Sequence, residues 1–108
     1  MIFFFQFKAK PEAINPESKT SAGAYINCWI SRKKKVEAEA VARKIIKGES
    51  WTIVELEKGC RITPKTQRPS GMKYYRQALI DKEVLVFHIW PAKKTKKRST
   101  EQINDGDG

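Results

Sequence analysis

One hundred and eight residues hold one domain, and a chain of this size buries a core without covalent staples. Hydrophobic residues make up 40% and charged residues 31%, which is a globular balance and excludes a wholly disordered chain. The departure is charge: 22 Lys and Arg stand against 12 Asp and Glu, a net +10 that bears on partners rather than on fold.

Residues 2 to 8 are dense in Phe and Ile and read as a strand with both faces covered. The run is too short for a membrane span and lacks the positive leader of a signal peptide. The expected location is therefore cytoplasmic, with no membrane association. A loop comes next, broken by Pro11, Asn15, Pro16 and Ser18. Residues 23 to 31 alternate as a second strand, with Ile26, Cys28 and Ile30 opposite Tyr25, Asn27 and Trp29. Residues 33 to 47 read as the clearest helix, since Ala38, Val41, Ala42 and Ile45 form one stripe and Gly48 stands where it stops. Arg43, Lys44 and Lys47 suit the negative end of its dipole, whereas Lys33, Lys34 and Lys35 gain nothing at the positive end.

Residues 51 to 57 form a strand. Lys58 and Gly59 make a turn candidate, after which residues 60 to 63 return as a short strand. Ser70 is placed to cap a helix over residues 71 to 81, whose Met72, Tyr75, Ala78 and Leu79 share a face. Residues 84 to 90 are the last strand, stopped by Pro91. Residues 93 to 108 carry almost no apolar side chains and read as a disordered tail, basic then acidic, behind a single domain over 1 to 92.

From Gly23 onward the order is strand, helix, strand, strand, helix, strand. This resembles the ferredoxin-like βαββαβ plait, an α+β fold with an antiparallel sheet and two helices on one face. The N-terminal strand is then an addition. The competing topology omits the weak 60 to 63 strand and gives a mixed sheet. In the plait, helices cover Ile26, Cys28, Ile30, Thr52, Val54, Leu56, Leu85, Phe87 and Ile89. The other face carries Tyr25, Asn27, Trp29, Trp51, Ile53, Val86, His88 and Trp90. All three tryptophans fall there, with Trp29, next to the basic cluster, expected to be the most accessible.

No catalytic motif is present. His88 is the only histidine, and no carboxylate or cysteine is arranged in sequence to orient it. Two cysteines make no disulfide framework, and with one His they cannot close a zinc site without a carboxylate. Neither metal nor cofactor is expected. Single glycines at turns form no phosphate loop.

The body carries 17 basic and 9 acidic residues through Pro91, so the excess belongs to the folded part rather than to the tail. Aromatic strands running into basic clusters suit RNA or single-stranded DNA. The candidate binding residues are Tyr25, Trp29, Arg32, Lys33, Lys34, Lys35, Lys93 and Lys94. A second reading is a regulatory module that docks on an acidic protein, or forms a homodimer, through the apolar aromatic face. A third is a dimeric plait enzyme with a small-molecule pocket lined by His88 and Tyr25.

Overall fold

The computed structural model describes residues 1–91; the tail beyond lies outside the described residues. In chain order the elements are β1 (Ile2–Pro11), β2 (Ser21–Ser31), α1 (Lys35–Gly48), β3 (Trp51–Ile62), α2 (Met72–Asp81) and β4 (Glu83–Pro91). Short 3₁₀ turns cover Pro16–Lys19 and Pro69–Gly71. The strands form one antiparallel sheet in the order β3-β1-β2-β4. The α+β class and the antiparallel sheet agree with the sequence reading. The plait order does not.

Three features replace it. First, β1 is central rather than added: it pairs with β2 on one side and β3 on the other. Its Phe3, Phe5, Phe7 and Ala9 are buried on one face, and Ile2 is buried on the other. Second, β3 runs unbroken through Lys58 and Gly59, so there is no separate strand at 60 to 63. The glycine serves close approach instead of a turn. A Cβ at Gly59 would lie 3.0 Å from the Phe5 ring, which packs over the bare backbone. Third, the helices lie on opposite faces. α1 places Ala38, Ala42 and Ile46 against Phe5, Phe7, Ile26, Cys28, Ile30 and Trp51. On the other face α2 places Tyr75 and Ala78 against Ile2, Trp29 and Ile62.

The alanine stripe lets α1 sit close to the sheet, with its buried line at Ala38, Ala42 and Ile46 and with Val41 half-buried beside it. Burying Phe5, Phe7, Ile26, Ile30 and Ile46 completely contributes about 1.5–3 kcal/mol each. In α2 the buried positions are Tyr75 and Ala78; Leu79, expected on that face, is exposed. Ser70 is part of the 3₁₀ turn rather than the cap, which falls at Gly71.

Two register shifts between β1 and β3 decide which side chains of β3 face α1. Lys8 and Ala9 are consecutive, but their partners Glu55 and Ile53 are not, and the same holds for Gln6 and Phe7 against Lys58 and Leu56. Val54 and Glu57 are therefore extra residues that break strict alternation. As a result Trp51, Ile53 and Leu56 all pack in the α1 cluster, while Thr52 and Val54 are exposed. The expectation that Trp51 and Ile53 share a face with Trp29 is overturned on this ground.

Asn15 ties the β1–β2 connection to the α1–β3 turn. Its Nδ2 donates to the Ser50 carbonyl at 3.0 Å and to the Glu49 carbonyl at 3.3 Å, and its Oδ1 accepts from the Glu17 N–H at 2.9 Å. Ser50 itself holds a positive φ of 66° in that turn.

Candidate functional site

α2 covers only one end of its face, over Ile2, Trp29 and the half-buried Phe4, Val84 and Val86. Beyond that end, the strand registers align the side chains in rows across the sheet. The first row is Lys58, Gln6, Asn27 and Val86, and the second is Glu55, Lys8, Tyr25 and His88. Lys10 and Trp90 lie farther out, alternating onto the same face. Among the described residues no helix lies over the second row or over Lys10 and Trp90.

This exposed area has a defined surface. Tyr25 and Trp90 stack with ring centroids 5.0 Å apart at 46°. Gly23 makes room for the indole: a Cβ there would stand 2.6 Å from Trp90 Cζ2 and 2.8 Å from the Ala9 carbonyl oxygen. Lys8, Lys10 and Lys58 supply positive charge, and Glu55 stands opposite Lys8. Gln6 Nε2 donates to Asn27 Oδ1 at 2.9 Å. That bond leaves one amide acceptor and one amide donor group free on the sheet surface.

At the start of α2, the sheet and the segment before the helix enclose a groove of about 490 Å³. Its aromatic floor is Phe4, Trp29 and Tyr74, with Trp29 at 5.1 Å from Phe4 and 4.9 Å from Tyr74 between centroids. Gln67 forms a fixed wall. Its Oε1 accepts from the Trp29 indole N–H at 2.9 Å, and its Nε2 donates to the Arg68 carbonyl at 3.0 Å. Lys58 and Arg68 stand at the lining, and no carboxylate does. A cationic and aromatic groove of this kind suits a planar, negatively charged ligand.

The residues singled out from sequence are not brought together. Tyr25 is on the exposed sheet area, 38% accessible. Trp29 is 3% accessible, so the expectation that it is the most accessible tryptophan is wrong. The cause is tertiary: α2 and the segment before it fold back over that end of the sheet, and the indole N–H is taken by Gln67. Arg32 is paired with Glu83 and also donates to the Ser31 carbonyl, so its charge is largely committed. Lys33, Lys34 and Lys35 are exposed at the start of α1. They come after the far end of β2, about 20 Å along the strand from Tyr25. Lys93 and Lys94 lie outside the described residues. Lys8, Lys10, Lys58 and Gln6 were missed, although Gln6, Lys8 and Lys10 recur at every second position of β1, opposite Phe5, Phe7 and Ala9.

The described residues offer no assembled catalytic pair. Cys60 and His88 both line the groove but belong to β3 and β4, the two outer strands, three strand spacings and four residues of register apart, which sets their backbones roughly 20 Å from each other. Glu55 and His88 share a row but stand at its two ends, roughly 14 Å apart across three strand spacings. Cys28 is buried, and desolvation pushes its thiol up to about 12, which keeps it protonated and unreactive. No group of three or more potential metal ligands occurs among the described residues, and no helix among them is long and apolar enough to cross a membrane.

Comparison of the chain with protein-family models, with curated proteins and with solved structures finds no match. Function therefore rests on the exposed sheet area and the groove beside it.

Proposed function

We propose that the protein binds single-stranded nucleic acid along the uncovered part of the α2-side sheet face, with the strand leading into the Trp29–Tyr74 groove. The observation that carries this reading is the Tyr25–Trp90 pair, packed over Gly23 with Lys8 directly opposite Tyr25 and Lys10 at the same end of β1, while Lys58 lies across the sheet on β3 toward the groove. Aromatic faces stack on any base, and lysines beside them neutralise the phosphates. The Gln6–Asn27 amide pair adds groups able to hydrogen-bond a base edge. Relative to the sequence reading, the stacking role passes from Trp29 to Trp90. The phosphate role passes from Arg32, Lys33, Lys34 and Lys35 to the lysines of β1 and β3.

The test is fluorescence anisotropy with short single-stranded RNA and DNA across salt concentrations. Trp90→Ala should weaken binding by about 1–3 kcal/mol with little loss of stability. Replacing Lys8, Lys10 and Lys58 together by Gln should flatten the log K against log salt slope by about two units, at roughly 0.7 per phosphate contact on single strands. The corresponding change at Lys33, Lys34 and Lys35 should leave most of the slope in place. If the Lys33 to Lys35 variant loses the slope and the sheet variant keeps it, the site is at the start of α1 and not on the sheet.

A further inference from the structure

The two outer strands of the sheet differ in how they are protected. β3 has two bulges against β1 and carries Glu55, Glu57, Lys58 and Arg61. Bulges and charges of this kind discourage a further strand from pairing at an edge. β4 has neither device over its central stretch. From Val84 to Trp90 its only side chain able to take a charge is His88, in a chain of net charge +10. Its pairing with β2 is regular from Ala24 to Ile30.

β4 is also incompletely covered. None of its residues is buried, although five of its side chains are Val, Leu, Phe or Ile. On the α1 side, α1 packs chiefly over β3, β2 and β1. Leu85 and Phe87 are left half-buried, and Ile89 is 42% accessible.

We infer that β4 is a homodimer edge, pairing antiparallel with β4 of a second copy to make one continuous eight-stranded sheet. The occupant is set by the strand's own sequence. About a two-fold axis at Phe87, Leu85 meets Ile89, Val86 meets His88 and Val84 meets Trp90. Every pair then joins side chains on the same face, every pair includes an apolar partner, and no two charges are opposed. An edge that fits itself in this way gives a closed two-fold contact rather than a filament. The Leu85, Phe87 and Ile89 stripes of the two copies would become adjacent on the α1 side, covering the part of the sheet that α1 leaves open. This contact is at the sheet edge, not the sheet face, and it does not depend on nucleic-acid binding.

The test is sedimentation of the full chain over a wide concentration range, together with amide hydrogen exchange. The expected mass is twice the 12.4 kDa of the chain. Backbone amides of Glu83–Pro91 should become better protected as concentration rises, while those of β1 stay constant. Because each copy is strongly basic, dimerisation should tighten with added salt, the opposite of nucleic-acid binding. Ile89→Lys places an ammonium against Leu85 of the second copy at a position already accessible in one chain. It should raise the dissociation constant at least tenfold and leave the circular dichroism spectrum unchanged. A chain that stays monomeric at every concentration overturns the proposal, whatever covers the edge. So does a dimer that Ile89→Lys leaves intact with β4 exchange unaltered.

Discussion

Cys28 shows how far one side chain's behaviour departs from its type. Every neighbour in the α1 cluster is apolar, and burial disfavours the thiolate strongly enough to hold the proton up to about pH 12. The consequence for stability has a definite sign. Below the ordinary thiol value both folded and unfolded chains keep the proton, and Cys28 adds no pH dependence. Above about pH 9 the unfolded chain releases it and the folded chain does not, so stability falls as pH rises, by about 1.4 kcal/mol per unit. Urea unfolding at pH 8 and pH 10 should show the native chain losing about 1–2 kcal/mol more than a Cys28→Ala variant. Equal losses would mean that the thiol ionises in place or that the α1 cluster admits water.

Among the elements, the connections carry as much information as the strands. α1 ends in a turn through Ser50, whose positive φ is costly for a side chain other than glycine. Asn15, from the β1–β2 connection, holds that turn by two donated hydrogen bonds while its Oδ1 caps the 3₁₀ turn at Pro16–Lys19. Removing the amide takes a donor from the Glu49 carbonyl and leaves the Ser50 carbonyl with only the Glu12 N–H, and Asn15→Ala should cost about 1–3 kcal/mol. Asn15→Asp should cost at least as much, because it keeps the capping oxygen but turns a carboxylate toward two carbonyl oxygens. Chemical denaturation checks both. A harmless Asp variant would show that the cap, and not the tie to Ser50, is what matters. The bulges of β3 act at the same scale: two inserted residues, Val54 and Glu57, move Trp51 and Ile53 to the α1 face and empty the other face of one indole.

For the whole molecule, the two helices divide the tryptophans by role. Trp51 belongs to the α1 core, Trp29 to the α2 core and Trp90 to the exposed sheet. Trp29→Ala should therefore cost about 3–5 kcal/mol of stability. At about 4–8 °C per kcal/mol this lowers Tm by at least about 10 °C. Fluorescence of single-tryptophan variants should show Trp29 shielded from a polar quencher and Trp90 open to it. A quenchable Trp29 would mean that α2 and its preceding segment lift from the sheet, which would make the groove floor itself a stacking surface.

Elements that depend on local periodicity were legible before any fold was known. The alternation of β2 and β4, the alanine stripe of α1 and the charge excess of the body could all be read from spacing and composition. So could the side chains of β2 that face α1, since Ile26, Cys28 and Ile30 never share a face with Tyr25, Asn27 and Trp29. Every question of which strand pairs with which needed the folded chain. A Phe-rich strand looks the same whether it lies at the edge or the centre. Gly59 looks like a turn until the Phe5 ring is found against it. The helix periods fix which side chains point inward, but not which face of the sheet a helix crosses. That last choice, α1 on one face and α2 on the other, is what buried Trp29 and left Tyr25 exposed and Trp90 half-buried. It was set by chain connections and competing apolar surfaces that no local pattern encodes.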